Sequence, residues 1–368
     1  MDFNHTEERQ MLSDMAERFV RENLTIEQRH EAAASDDGFS RERYEQMAEL
    51  GLIGALFPED AGGFGGSGFD IIVVFEAVGK GLLTEPFLPS LLAGTALARA
   101  GRNDDVEAIA AGGLYAFAYG EPASRYTLEH VGTTATKSGD GYTLDGNKAV
   151  VLGAATADHL VVSARTSGGT TDADGISLFL VDAKAEGVHI RGYSTVDGYP
   201  AAEIALKDVS AELIGDEGKG IETIRAVTAT GALAVCAEAL GAVEVCIDMT
   251  MDYLKTRTQF GRPIGMFQAL QHRMVDMMGE REQIRSAVIN AAGHLDGEQR
   301  DWHVSAAKNL VGRAGRHIAE EAIQMHGGIA MTWEYAVAHY AKRVVMIDHL
   351  FGDTDHHLEQ IIKLGRAA

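Results

Sequence analysis

Cysteine is almost absent from this chain, since only Cys236 and Cys246 occur among its 368 residues. Both lie in one apolar stretch with the hydrophobic pattern of a helix, and two positions along one helix do not offer disulfide geometry. A disulfide-stabilised fold is therefore excluded. We expect both thiols to fill core positions.

Basic residues are the second shortage. The chain has 32 Lys and Arg against 54 Asp and Glu, so its formal net charge is −22. Nucleic acids and anionic membrane surfaces are polyanions that such a charge repels, and neither is expected as a partner. An anionic ligand must therefore find a local basic site.

Signals for export or membrane insertion are also missing from the sequence. No N-terminal stretch combines a basic region, an apolar core and a small-residue cleavage site, and no apolar run approaches the length of a membrane helix. We therefore expect a cytoplasmic protein that does not enter a membrane. Its length is enough for more than one domain with a large core.

The apolar pattern changes twice along the chain and predicts three domains. Residues 1–113 carry apolar side chains at helical spacing, and residues 114–215 carry short alternating runs bounded by Gly and Asp. Residues 216–368 return to long amphipathic helices. The sequence thus predicts a mainly α fold, with an N-terminal helical domain, a middle antiparallel, barrel-like β domain and a C-terminal four-helix bundle.

Two short motifs in the last segment combine residue types that can hold a diphosphate. At 257–261 the chain reads Arg-Thr-Gln-Phe-Gly, where Arg257 offers a guanidinium fork and Phe260 an apolar plate for a ring. At 324–328 it reads Gln-Met-His-Gly-Gly, where paired glycines let the backbone approach a dinucleotide closely. Each motif alone is weak, because a glycine pair after a helix commonly only ends the helix.

In this order and spacing, the motifs resemble those of the acyl-CoA dehydrogenase family, and the resemblance covers nearly the whole chain. It implies FAD as cofactor, an acyl-CoA thioester as substrate and α,β-dehydrogenation as the reaction. It also implies that each chain holds the adenosine end of the FAD of a neighbouring chain, so that oligomerisation is part of cofactor binding. The FAD contacts implied are Arg257, Phe260, Gln268, Gln324, Gly327 and Gly328.

The resemblance also implies a catalytic glutamate that removes the α-proton while a hydride passes to the flavin. In most of the family it precedes Gly-Thr near the C-terminus, and here that position falls on Phe351 or Gly352, depending on the alignment. In one branch it lies on the first helix of the C-terminal domain, where this chain has Gly231. Asp353 is the nearest carboxylate and a weak candidate, because an Asp in this setting is more often a turn or helix-cap acceptor.

The two segments that contact the flavin ring in the family also differ from the family pattern in this chain. Where the family has Thr-Glu-Pro-Gly-x-Gly-Ser, this chain has Gly-Glu-Pro-Ala-Ser-Arg at 120–125, and where the family has a flavin-stacking Trp-Ile-Thr, it has Val-Val-Leu at 150–152. Loss of an aromatic plate and of hydroxyl donors should weaken flavin-ring binding by this chain's own β domain.

A chain that keeps the adenosine-side motifs and lacks the base resembles the small subunits of heterotetrameric acyl-CoA dehydrogenases of the pimeloyl-CoA and steroid side-chain type. The Thr-Glu-Pro-Phe-Leu run at 84–88 and the Phe-Gly-Asp-x-Asp pattern at 351–355 fit that resemblance. It implies a hetero-oligomer in which a Glu-bearing acyl-CoA dehydrogenase subunit supplies the base.

Three alternatives remain open. The first is a self-sufficient homodimeric or homotetrameric dehydrogenase that uses Asp353 or an unplaced carboxylate. The second is a reduced-flavin monooxygenase of the same fold, and the third is a catalytically silent scaffold or CoA-ester-binding protein. His349, His356 and His357 cluster near the base position, but their spacing is a poor match to a metal site, and no metal is expected.

Overall fold

The computed structural model describes residues 6–139 and 141–367, so that residues 1–5, 140 and 368 of the predicted segments lie outside the described residues. The N-terminal part is helical, as the apolar spacing predicts. Thr6 caps the first helix by accepting a hydrogen bond from the Arg9 N–H at 3.3 Å. The helices are α1 Glu7–Asn23, α2 Ile26–Ala33, α3 Arg41–Glu49, α4 Gly68–Gly81, α5 Phe87–Arg99 and α6 Asn103–Ala110.

A seven-stranded sheet forms the middle of the chain. Its strands follow the order β1-β4-β2-β3-β7-β5, β6 pairs with β7, and a further β4–β5 pairing closes the path into a barrel. The strands are β1 Tyr115–Ala118, β2 Thr134–Ser138, β3 Gly141–Leu152, β4 His159–Arg165, β5 Ile176–Asp182, β6 Val188–Ser194 and β7 Pro200–Ile214.

The prediction of an antiparallel β domain needs a correction at β4, because β1 runs parallel to it, with Tyr115 opposite His159. β2 also meets β4 in the parallel sense, at the single pair of Thr134 and Arg165. β1 and β4 are separated in the chain by β2 and β3, so no tight hairpin forces them to run antiparallel. The remaining pairings are antiparallel, as expected.

Alternating side chains of the strands fill the barrel. Leu144, Val162 and Phe179 are fully buried, and Tyr142 packs edge-on against Phe179 with ring centroids 5.1 Å apart. Full burial of one such side chain stabilises the fold by about 1.5–3 kcal/mol. The alternation that predicted the strands therefore also predicts this core.

The last part of the chain is helical again, with a short hairpin after its first helix. The elements are α7 Gly220–Thr256, β8 Thr258–Gln259, β9 Arg262–Pro263, α8 Gln268–Ala292, α9 Arg300–His326, α10 Val337–His349 and α11 Thr354–Ala367. The sequence predicted four helices here, whereas the described residues form five. α10 and α11 both pack on α9.

Helix α7 corrects one expectation from the sequence. By length and composition it contains an apolar stretch long enough to cross a membrane, although no such run was expected. However, 89% of that stretch is buried inside the protein, so α7 is a core helix. Cys236 and Cys246 lie on α7, free and fully buried as predicted, and burial raises the pKa of both thiols to about 12.

Contacts divide the chain into two units. The bundle unit contains the described residues up to Arg29, then Gly68–Leu83, and the described residues from Ala232 onward. The barrel unit contains His30–Ser67 and Thr84–Gly231. The predicted FAD contacts and the C-terminal base position lie in the bundle unit, whereas the departures at 120–125 and 150–152 lie in the barrel unit.

Candidate functional site

The hairpin after α7 presents two of the predicted FAD contacts to solvent. Phe260 and Gly261 at its tip have φ values of 53° and 74°, and the Phe260 side chain is 89% exposed. The Arg257 backbone joins the hairpin to α7, because its N–H donates to the Tyr253 carbonyl of the last helical turn at 2.8 Å. Its carbonyl closes the base of the hairpin by accepting from the Ile264 N–H at 2.9 Å. The exposed Arg257 side chain therefore starts from a fixed backbone position.

The C-terminal end of α9 carries three more of the predicted contacts. Gly327 has φ 69° and ψ −144°, a conformation that glycine adopts easily and other residues rarely. Among the described residues, no atom lies within 4 Å of the place that a Cβ would take at Gly327 or Gly328, apart from the chain neighbours and the backbone of the helical turn itself. Gln324 is exposed on the last turn of the helix. The end of α9 is thus open to a ligand.

An aromatic contact joins these two segments at one end of the bundle unit. The buried His326 ring lies 4.6 Å from the Tyr253 ring and 5.1 Å from the Tyr335 ring, measured between centroids. Its Nδ1 lies 2.8 Å from the Ala322 carbonyl oxygen, and burial lowers its pKa. His326 therefore acts as a packing residue that brings the α7 hairpin beside the end of α9. Tyr253 was not predicted from the sequence, although it stands one helical turn before Arg257.

Gln268, the remaining predicted contact, is the first residue of α8 and is exposed. We call the set of Arg257, Phe260, Gln268, Gln324, Gly327 and Gly328 the predicted clamp. Beside it, an apolar groove of about 420 Å³ opens between α7 and α8. Its walls include Met251, Leu254, Met266, Met274, Val275 and Met278.

The α10–α11 corner contains the position where most of the family has its catalytic glutamate, and Lys308 ties this corner to α9. The fully buried Lys308 Nζ donates to the carbonyls of Ile347, Asp348 and Gly352 at 2.8, 3.0 and 3.0 Å. Burial lowers the pKa of Lys308. Because these three carbonyl groups accept hydrogen bonds from Lys308, the backbone of the corner is held in place.

Gly352 is crowded by two histidine side chains of α11. It has φ 112°, and an added Cβ would lie 2.5 Å from His356 Cδ2 and 2.8 Å from His357 Nε2. Phe351 before it has φ 58°, so that both candidate base positions lie in the left-handed region. Neither holds a carboxylate.

Asp353 caps α11. Its Oδ1 accepts a hydrogen bond from the His356 N–H at 2.9 Å, and its carbonyl accepts from the His357 N–H at 3.0 Å. This is the helix-cap role that is more common than catalysis for an Asp in this sequence setting. The third position, Gly231, is buried inside α7 and has no side chain to offer.

In the barrel unit, the carboxylate of Glu121 in the shortened Gly-Glu-Pro motif forms hydrogen bonds within the protein. Its carboxylate accepts hydrogen bonds from Lys148 Nζ at 2.8 Å and from the Gly132 and Thr133 N–H groups at 2.7 and 3.0 Å. Lys148 is fully buried, also donates to Ser163 Oγ at 3.0 Å, and has its pKa lowered by burial to about 8. Glu121 and Lys148 thus form a buried structural ion pair.

At the place where the family has a flavin-stacking tryptophan, β3 carries an irregularity. The register with β7 shifts between Lys148 and Val151, and Val150 in between is exposed with φ 53°. Val151 itself is buried in the barrel core. The segment 150–152 therefore offers no aromatic surface.

Comparison with known proteins identifies the family of the chain. Three family models match the chain in succession: the acyl-CoA dehydrogenase N-terminal domain over residues 6–108, the middle domain over 116–209 and the C-terminal domain over 218–364. The chain belongs to the acyl-CoA dehydrogenase family. The predicted fold class is thereby confirmed, and the protein is an oxidoreductase of that family. The exact domain boundaries stay predictions.

Full-length relatives support the assignment. The chain is 30% identical to the 3-(aryl)acrylate reductase of Clostridium sporogenes (strain ATCC 15579), over 93% of this chain and 94% of the relative. It is also 30% identical to the probable acyl-CoA dehydrogenase YngJ of Bacillus subtilis (strain 168), over 92% of both chains.

Solved structures agree with this acyl-CoA dehydrogenase assignment. PigA with FAD and proline matches with a TM-score of 0.91 at 25% identity, over 100% of both chains, and FAD is the cofactor of the family. A variant of the steroid acyl-CoA dehydrogenase Tcur3481-Tcur3483 matches with a TM-score of 0.89 at 28% identity, over 98% of this chain and 99% of the other. The ChsE4-ChsE5 complex of Mycobacterium tuberculosis matches with a TM-score of 0.87 at 26% identity, over 100% and 98%.

Proposed function

We propose that this acyl-CoA dehydrogenase works as the base-lacking subunit of a hetero-oligomer and completes the FAD site of a glutamate-bearing partner chain. The observation that carries the proposal is that neither base position holds a carboxylate. Phe351 has none, and at Gly352 an added Cβ would lie 2.5 Å from His356 and 2.8 Å from His357. The exposed predicted clamp remains in the same unit. A chain with this combination can hold the cofactor without removing the substrate proton.

The predicted clamp suits the adenosine and diphosphate end of FAD. The Arg257 guanidinium would pair with the diphosphate, and Phe260 would lie against the adenine. The open backbone at Gly327 and Gly328 would let the diphosphate approach closely. When bound, FAD supplies the acceptor for the β-hydride of the acyl-CoA.

Removal of the α-proton is assigned to the partner. The base for this step must be a carboxylate that is free to accept a proton close to the substrate. Asp353 uses one carboxylate oxygen to cap α11, and Glu121 is held by Lys148. The similarity to a solved complex of two proteins, ChsE4-ChsE5, supports assembly with a different chain.

The first test is the FAD content of the chain purified alone and after co-expression with a glutamate-bearing acyl-CoA dehydrogenase chain from the same organism. We expect flavin absorbance and acyl-CoA oxidation only in the mixture, near one FAD per pair. A full complement of FAD and ordinary turnover in the lone chain would overturn the proposal in favour of a self-sufficient enzyme. Activity that requires a flavin reductase and O2 would instead support a monooxygenase.

A substitution in the predicted clamp gives a sharper test. Arg257→Ala in the co-expressed complex should weaken FAD binding about 10- to 100-fold, since a hydrogen bond to a charged group contributes about 1.5–3 kcal/mol. Arg316→Ala is the matched control, because Arg316 is an exposed arginine of the bundle unit that pairs only with Glu320 on its own helix in the contacts described. FAD titration followed by fluorescence measures both. Equal affinity in the two variants would remove Arg257 from the site.

A further inference from the structure

Two histidine rings are stacked at the turn that joins α8 to α9. The ring centroids of His294 and His303 lie 3.7 Å apart, and the ring planes are inclined by 22°. His294 lies just beyond the end of α8, and His303 lies on the first turn of α9. The Trp302 ring packs edge-on against His303, with centroids 4.9 Å apart. The stack therefore joins the two helices directly, in addition to the chain between them.

Asn290, on the last turn of α8, contacts both rings and fixes their protonation. Its backbone carbonyl oxygen lies 2.8 Å from His294 Nδ1 and can only accept, so His294 Nδ1 carries a hydrogen. Its side-chain Nδ2 lies 2.8 Å from His303 Nδ1 and can only donate, so His303 Nδ1 is unprotonated. The stacked arrangement thus contains a neutral His303.

A proton on His303 would act against this arrangement in two ways. It would occupy the nitrogen that accepts the hydrogen bond from Asn290, and it would place a positive charge against the ring of a second titratable histidine. Burial, and after it the charge of His294, lowers the pKa of His303 below its ordinary value of 6.5. The stack should therefore be most stable above that value and lose stability as pH falls below it, because the opened turn binds the proton more readily.

The charged side chains around the stack do not offset a charge on His303. The turn and the start of α9 carry two exposed acids and one ion pair of 2.7 Å, namely Asp296, Glu298, Arg300 and Asp301. Two further ion pairs involve α4 and α11, which pack against these helices: Asp70 with Arg9 and Lys363 with Glu359. Burial and His294 are the causes of the lowered pKa of His303, and no carboxylate among the described residues opposes them.

We propose that the His294–His303 stack is an acid-sensitive latch, which holds the α8–α9 turn closed and releases it when His303 binds a proton. The part that opens consists of residues 293–299, which connect the helices, and the first turn of α9. The inference does not depend on the proposed function, because every group of the latch belongs to one chain and none of them is in the predicted clamp.

A histidine farther along α9 provides an internal comparison. His317 Nδ1 lies 2.8 Å from Glu280 Oε2 of α8, and the hydrogen bond with that carboxylate is the main reason why the pKa of His317 is raised. Protonation of His317 therefore strengthens the contact between α8 and α9, whereas protonation of His303 weakens it. A fall in pH should loosen the turn and leave the middle of the two helices closed.

Hydrogen exchange of the full chain, followed by mass spectrometry at about pH 7.5 and about pH 5.5, tests the latch on either side of the ordinary histidine pKa. Protection factors, which correct for the intrinsic exchange rate at each pH, should fall about 2- to 10-fold at residues 293–303 in acid, as expected for one lost hydrogen bond. His303→Phe keeps a ring in the stack without a titratable nitrogen and should abolish that fall. His317→Phe is the matched control, since it makes the same substitution on the same helix, and should leave the fall in place.

No fall in the wild type, a fall that persists in His303→Phe, or an equal fall along the whole of α8 and α9 would each overturn the latch. The last of these results would show a general destabilisation by acid. Circular dichroism verifies that the variants are folded, and a histidine NMR titration gives a second measurement that does not need His303→Phe. The pKa of His303 should lie below 6.5 in the wild type and rise in His294→Phe, whereas an unshifted or raised pKa in the wild type would overturn the latch.

Discussion

Two glycines of the bundle unit, Gly328 and Gly352, have opposite surroundings. An added Cβ at Gly328 would meet no atom within 4 Å among the described residues beyond the chain neighbours and the backbone of its own helical turn, whereas one at Gly352 would lie 2.5 Å from His356. The open surroundings of Gly328 can admit a ligand, whereas the space beside Gly352 is filled by side chains of the same chain. Residue type alone does not distinguish these two uses.

The same contrast extends to the regions around them. In the predicted clamp, the side chains of Arg257, Phe260 and Gln324 are exposed. At the base corner and in the Gly-Glu-Pro motif, the polar groups of Asp353 and Glu121 are engaged in internal hydrogen bonds. Substitutions in the internal regions should therefore reduce stability, whereas substitutions in the clamp should reduce FAD binding and leave stability unchanged.

The largest expected effect is that of Glu121→Gln. The variant leaves Lys148 buried without its counter-charge, and removing one partner of a buried ion pair costs about 3–5 kcal/mol. Urea unfolding of the wild type and the variant measures the difference. Arg257→Ala serves as the control from the exposed region and should change stability by no more than about 0.5 kcal/mol. Equal stabilities for wild type and Glu121→Gln would show that the Glu121–Lys148 pair does not stabilise the fold, and would contradict the difference expected between the internal and the exposed regions.

The stabilisation by Glu121 should also depend on pH. Although burial raises its pKa, the Lys148 charge and the hydrogen bonds from Lys148 and Thr133 together hold the pKa below its ordinary value of 4.5. A carboxylate with a lowered pKa in the folded state stabilises the protein above the ordinary pKa and loses that contribution as pH falls. The stability gap between wild type and Glu121→Gln should therefore narrow below about pH 4.5. A gap that widens in acid would contradict this assignment.

The second prediction compares the two glycines directly. Gly352→Ala should destabilise the protein by about 2–4 kcal/mol, because it combines a left-handed backbone with a close contact to His356. Gly328→Ala should change stability by no more than about 0.5 kcal/mol and should instead weaken FAD binding in the complex. Thermal unfolding and FAD titration of both variants measure the two effects. Loss of stability in Gly328→Ala would show that its open surroundings are not the reason for the glycine.

The sequence predicted the order of helical and β segments well, because apolar spacing reflects which faces are buried. The alternating runs that contain Leu144 and Phe179 are strands of the barrel, and the apolar stretch with Cys236 is a core helix. The parallel β1–β4 pairing was missed, since alternation along a strand carries no information about the direction of its neighbour.

The candidate site was predicted as a set of residues without its geometry. The motifs at 257–261 and 324–328 are far apart in sequence, and the buried contact of His326 with Tyr253 brings their segments together at one end of the unit. The sequence also left the base position open between Phe351 and Gly352. That choice stays open, and the crowding at Gly352 could not be predicted from the sequence, because it depends on His356 and His357 of the next helix folding back against it.

The smallest expected effect separates the two roles considered for Asp353. As the cap of α11, Asp353→Ala should cost about 1 kcal/mol, whereas Asp353→Asn should cost much less, because Asn caps helices about as well as Asp. Unfolding of both variants in the lone chain measures this difference. Turnover of the co-expressed complex should be unchanged in Asp353→Asn.

The asparagine variant makes the test decisive, since it keeps the hydrogen-bond acceptor and removes the titratable carboxylate. If Asp353 accepted the substrate proton, Asp353→Asn would keep full stability and lose nearly all turnover, because an amide cannot act as a general base. If Asp353 only caps the helix, stability and turnover both survive. The first result would place the catalytic base in this chain, at Asp353. The second would leave proton removal with the partner chain.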